Sequence, residues 1–154
     1  MHELVFTHEH FMSLALRQAQ IAAENQEVPV GAVIVHGNAI VGQAHNQTEM
    51  LKDPTAHAEI IAITQAASAL EDWRLLDTVL YVTKEPCPMC AGAIVQARIP
   101  TVVYGVDDIG RGGAKSLFPI LDSPDLNHRC EIITGILEAP CRALLQKFFR
   151  EKRK

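Results

Sequence analysis

Cys87 and Cys90 sit three residues apart in the run Glu85-Pro86-Cys87-Pro88-Met89-Cys90. A step of three along a helix puts both sulfurs on one face of its first turn. Upstream, His57-Ala58-Glu59 offers an imidazole and, two residues on, a carboxylate. His57, Cys87 and Cys90 make three protein ligands for zinc and leave the fourth tetrahedral position for water. Glu59 beside that water is a general acid/base. A redox dithiol also uses Cys-x-x-Cys, but it gives His57 and Glu59 nothing to do. A closed structural zinc site needs a fourth protein ligand, and no residue has suitable spacing for it.

The chain that must position these groups has 154 residues, which predicts one domain spanning 1–154. That length buries a sizeable core without disulfides, and 48% hydrophobic residues suit a globular protein. No apolar run approaches the roughly 20 residues of a membrane span. Met1-His2-Glu3-Leu4 carries no basic region before an apolar stretch, so no secretory signal is read. The four cysteines then point to a reducing, cytoplasmic setting and to metal in place of disulfides. The net charge of −4 is a weak argument against nucleic acid, because binding depends on where charge sits. Lys147, Arg150, Lys152, Arg153 and Lys154 cluster at the C-terminus and read as a solvated tail.

Apolar residues at spacings of three and four predict an amphipathic helix from about His8 to Asn25, with Thr7 as its N-cap. Val30 to Val35 and Ala39 to Ala44 read as a hairpin around His36-Gly37-Asn38. Asn46 ends the second strand and reads as a turn residue. Residues 47–54 read as a polar loop, and Thr55 as the N-cap of a helix from Ala56 to about Ala69. Trp73 is expected to anchor its loop by packing inward. Val79 to Thr83 is a buried strand stopped by Glu85-Pro86, and a helix from Pro88 to about Ala97 follows. At its N-terminus the dipole favours thiolate over thiol. Thr101 to Val106 and Ile132 to Leu137 are further strands, and Pro140 opens a last helix. Cys130 and Cys141 read as inert core thiols. Of Phe148 and Phe149, adjacent on that last helix, one is expected to be exposed. Alternating strands and helices imply an α/β fold, a three-layer α/β/α sandwich with a mixed sheet.

The pattern H-x-E…P-C-x-x-C is that of zinc-dependent base deaminases. The wider match is more specific. Glu27-Val28-Pro29-Val30-Gly31-Ala32-Val33, Asp53-Pro54-Thr55-Ala56-His57-Ala58-Glu59-Ile60, Leu80-Tyr81-Val82-Thr83 and Glu85 through Ala93 resemble the bacterial tRNA-specific adenosine deaminases. So do Val103-Tyr104-Gly105, Leu126-Asn127-His128-Arg129, Gly135-Ile136-Leu137 and Phe148-Phe149-Arg150. The resemblance implies the five-stranded cytidine deaminase-like fold, one Zn2+ per subunit and a homodimer. It also implies adenosine-to-inosine conversion at wobble position 34 of the tRNA-Arg anticodon stem-loop, the base being splayed into the pocket from an unpaired loop.

On this resemblance Asn46 becomes an amide that reads the target base, against its reading as a turn residue. Val30 becomes a pocket wall, the Ala58 backbone a base contact, and Asp108 a contact to the neighbouring sugar. Phe149 and Arg150 become part of the last-helix surface that meets the loop. The alternative reading is a free-base or nucleoside deaminase of salvage metabolism, guanine deaminases being nearest because they share the Glu-Pro-Cys-Pro-Met-Cys run. The family usually carries a lysine near position 110 and a small or hydroxyl residue at 111, where this chain has Gly110 and Arg111. An arginine replaces a phosphate-facing lysine in charge but not in geometry.

Overall fold

The structure is a computed structural model and describes residues 6–152. Arg153 and Lys154 of the basic C-terminal cluster, and the N-terminal Met1-His2-Glu3-Leu4, lie outside the described residues. Helix α1 (His8–Glu24) leads into strands β1 (Gly31–His36) and β2 (Ala39–His45), then helices α2 (Thr48–Leu51) and α3 (Ala58–Leu70). Strand β3 (Thr78–Lys84), helix α4 (Pro88–Ala97), strands β4 (Thr101–Val106) and β5 (Glu131–Thr134) and helix α5 (Glu138–Lys152) follow. The five strands form one mixed sheet in the order β2-β1-β3-β4-β5. β1 is antiparallel to both neighbours, while β3, β4 and β5 run parallel.

Strand alternation sorts the core into two layers. Val33, Val35, Tyr81 and Val103 face α1 and α5, where Phe11, Met12, Ala15 and Cys141 meet them. Ala32, Ile34, Leu80, Val82, Val102 and Tyr104 face the other way, onto Ala58, Ala62, Ala91 and Ile94 of α3 and α4. This is the three-layer α/β/α sandwich with a five-stranded mixed sheet. Gly31 lets α1 lie directly on β1, since a Cβ there would stand 2.0 Å from the Ala15 carbonyl oxygen. Cys130 and Cys141 are buried, and burial pushes both thiols up to about 11. Phe148 is buried and Phe149 exposed.

Several boundaries differ from the sequence reading. Residues 47–54 contain α2, because the buried Glu27 carboxylate accepts the backbone N–H groups of Glu49 and Met50 at 3.0 and 2.8 Å. Thr55 does not cap α3. Its N–H and hydroxyl both donate to Asp53 Oδ1, and the helix starts at Ala58 with His57 in the N-cap position. β5 ends at Thr134, where Gly135 turns the chain at φ +82°. α5 opens at Glu138, with Pro140 inside its first turn, where no N–H is needed. Trp73 does not pack inward: it is 60% exposed, with the Arg74 and Arg98 guanidinium carbons 5.2 and 6.0 Å from its ring centre.

Candidate metal centre and active-site cleft

Two helix N-termini converge on one point. His57 is the N-cap residue of α3 and Cys87 that of α4, each in extended backbone conformation and neither spending its side chain on a cap. Cys90 lies one turn into α4 and is fully buried. His57 Nδ1 stands 3.6 Å from Cys87 Sγ and 3.4 Å from Cys90 Sγ. The three candidate ligand atoms lie within 4.8 Å of one another. The positive ends of two helix dipoles point here, which favours a thiolate. The Cys90 thiol donating to Cys87, with His57 beside it, holds Cys87 down to about 3. The same bond, with burial, pushes Cys90 up. His57 is raised, first by its bond to Cys87. One imidazole and two sulfurs sharing protons in this way are a donor set that fits zinc in both ligand type and spacing.

Glu59 is 3% exposed, and its Oε1 has no hydrogen-bond partner among the described residues. Burial pushes its carboxyl up. A buried carboxylate oxygen left unpaired beside three metal-type ligands suits a group that handles a proton for a guest.

These residues open into a cleft of about 150 Å³ lined by Val28, Val30, Asn46, Thr48, His57, Glu59, Lys84, Glu85, Cys87, Asp108 and Arg111. Asn46 reaches it from the end of β2, and its Oδ1 accepts the Ala58 N–H at 2.8 Å, supplying the helix cap that Thr55 does not. The Ala58 backbone therefore has its N–H committed to Asn46, which leaves the Asn46 amide nitrogen as the donor for a guest. Val30, 6% exposed, forms a wall. Asp108 lies at the mouth, its Oδ2 3.0 Å from Lys84 Nζ and its Oδ1 3.2 Å from the Arg111 N–H. Phe149 and Arg150 do not line this cleft. They line a separate surface hollow on α5 with Leu145 and Gln146.

Sequence reasoning missed Thr48, Lys84 and Glu85 as cleft residues. Glu85 was legible only as the end of β3, yet its buried carboxylate gathers donors from the loop after β4. Asp108 N donates to Oε1 at 2.9 Å, and the N–H groups of Ala114, Lys115 and Ser116 donate to Oε2 at 3.1, 2.9 and 2.9 Å. The Ser116 hydroxyl also donates to Oε1. Burial by itself would push the Glu85 carboxyl up. The donors from Lys115, Ser116 and Asp108 outweigh it and hold Glu85 below the usual range.

Known proteins share this arrangement over nearly the full length. The tRNA-specific adenosine deaminase of Streptococcus pyogenes serotype M18 is 46% identical over 144 residues, 94% of this chain and 91% of that protein. The chain belongs to the tRNA-specific adenosine deaminase family. The family model of MafB19-like deaminases matches residues 6–153 as well. Among solved structures, one from work on A-to-I editing by tRNA:A34 deaminases at the wobble position of transfer RNA superposes with a TM-score of 0.85. It is 42% identical, over 88% of this chain and 99% of that one. A guanine deaminase from Bacillus subtilis is 40% identical but matches 66% of each chain, with a TM-score of 0.64. The family member described here is thus a deaminase, and its likeness to the tRNA-deaminase structure covers 88% of the chain against the 66% matched by the guanine deaminase.

Proposed function

We propose that this protein is a zinc-dependent tRNA-specific adenosine deaminase, a single catalytic domain that hydrolyses adenosine to inosine at wobble position 34 of the tRNA-Arg anticodon stem-loop. The observation that carries this reading is Glu59, buried with an unpaired oxygen beside His57, Cys87 and Cys90 in a chain whose tRNA-deaminase likeness spans 94% of its length. His57, Cys87 and Cys90 would hold one zinc ion, which would supply Lewis-acid activation of a water. Glu59 is placed to take a proton from the attacking water and deliver it to adenine N1 as oxygen adds at C6. Glu59 then carries the proton of the new C6 hydroxyl to the amino nitrogen, so that the C6–N bond breaks, ammonia leaves and inosine remains. The Asn46 amide, fixed by its bond to Ala58, donates to the base. Val30 walls the base against water, and Asp108 meets the sugar beside it. Phe149 and Arg150 offer an exposed aromatic and a cation to the anticodon loop outside the cleft. Among the described residues no helix is long and apolar enough to cross a membrane. We place the enzyme in the cytoplasm with its substrate, as a homodimer.

The likeness to guanine deaminase makes guanine the competing substrate. The deciding assay offers zinc-loaded protein a tRNA-Arg anticodon stem-loop with adenosine at the wobble position, free adenosine, cytidine and guanine. Inosine in the stem-loop, with the free compounds untouched, is the expected result. Turnover of guanine with the stem-loop unchanged would overturn the RNA reading and leave the same chemistry serving a free base.

A further inference from the structure

Glu85 is 2% exposed, and no cation bonds its carboxylate among the described residues. A buried carboxylate in that state is unfavourable unless it is fully hydrogen-bonded. Here every donor comes from one segment, the loop after β4: the N–H groups of Asp108, Ala114, Lys115 and Ser116, and the Ser116 hydroxyl. The carboxylate therefore acts as the hub on which that loop is wound. The loop is also moored to the backbone of the cysteine run, because Gly113 N–H donates to the Pro86 carbonyl at 2.7 Å. Gly112 passes so close that a Cβ on it would stand 2.4 Å from the Glu85 carboxylate. Neither Cys87 nor Cys90 makes a hydrogen bond to Glu85.

What the loop carries matters more than how it is held. Asp108 and Arg111 are the two loop residues that line the cleft. The Asp108 N–H is one of the hub's spokes, and the Arg111 N–H is tied in turn to Asp108 Oδ1. The Arg111 guanidinium makes no ion pair among the described residues and lines the cleft, which leaves it able to pair with a phosphodiester.

We propose that Glu85 is a positioning residue for RNA: its carboxylate fixes the 108–116 loop so that Asp108 and Arg111 meet the sugar and phosphate flanking the target base. The role lies in binding the polymer, and the bond-breaking groups are independent of it. The proposal rests on the RNA reading given above.

The test uses full-length zinc protein with Glu85→Gln, Arg111→Gln and the double variant. Zinc per chain, kcat and KM on the stem-loop, and the salt dependence of stem-loop binding are measured for each. Gln keeps the size of Glu but replaces one acceptor oxygen by an amide NH2 donor that faces N–H groups. Glu85→Gln is expected to keep its zinc and to raise KM roughly tenfold, with a smaller fall in kcat. Its log Kd against log salt slope should drop by about one contact, as it does for Arg111→Gln. The double variant should lose less than the product of the two single losses, because both act through Arg111. Loss of zinc, a fall in kcat at constant KM, an unchanged salt slope or multiplicative losses would each overturn the proposal. Wild-type protein that leaves the stem-loop untouched would sink the RNA reading and this inference with it, whereas active wild type with an unaltered Glu85→Gln variant would sink this inference alone.

Discussion

At the scale of single residues, Glu59 stands out because the fold gives it so little. Its buried Oε1 has no partner among the described residues, so it weakens the resting protein and has value only when a guest is present. Glu59→Gln should retain one zinc per chain and lose turnover by about a hundredfold or more, measured as inosine released per enzyme. The same change removes a buried, incompletely bonded charge. The metal-free variant should therefore melt no lower than metal-free wild type. A clear drop in melting temperature would mean that Glu59 is a structural group. Asn46 is the counterpart, a residue whose two ends do different work. Its oxygen caps α3 through Ala58, and its amide nitrogen faces the cleft. The sequence showed only an asparagine at a strand end, which is why its turn reading was attractive.

At the scale of elements, the Lys84–Asp108 pair joins the end of β3 to the loop after β4 across the mouth of the cleft. Both partners are partly exposed, so the pair itself adds little stability, about 1 kcal/mol at most. The pair holds an ammonium group at the cleft, where the proposed RNA substrate would enter. Lys84→Met should weaken stem-loop binding and lower the salt slope by about 0.7–1 units, with the melting temperature nearly unchanged. An unaltered slope would place Lys84 outside the RNA path. What could be read in advance at this scale follows from locality. α1 with its Thr7 cap, the β1–β2 hairpin, β3, α4 and β4 all carry their signals within a few neighbouring residues. The missed features depend on distant partners. α2 is capped by Glu27, more than 20 residues upstream, and the winding of the loop on Glu85 joins residues 23–31 apart. The start of α3 was misplaced because Asp53 captures Thr55 while the true cap arrives from β2. His57, Cys87 and Cys90 were legible because ligand chemistry leaves a mark in spacing that packing does not erase.

For the whole molecule, a net charge of −4 with Lys84 and Arg111 both at the cleft means that attraction for RNA is focused, not spread over the surface. On the zinc reading proposed above, an ion shared by His57, Cys87 and Cys90 would tie the two long-separated ligand segments together and so contribute to the fold as well as to chemistry. Free metal at about a thousand times its Kd would add about 4 kcal/mol. For a chain of this size, chelation should therefore lower the melting temperature by about 10 °C, read by calorimetry with and without added zinc. No change on chelation would show that α3 and α4 meet without the ion.

The sheet order has a consequence for the life history of the chain. His57, Cys87 and Cys90 all precede β4, and the strands that support them, β2, β1 and β3, appear consecutively during synthesis, with β1 pairing antiparallel to each of the other two. The loop wound on Glu85 is made later, after the first parallel crossover, the slower kind of pairing. A growing chain thus makes its three candidate ligands, with Val30 and Asn46 of the cleft, while Asp108 and Arg111 are still unmade. On the reading proposed above, the groups that handle the base exist before those that meet the polymer around it.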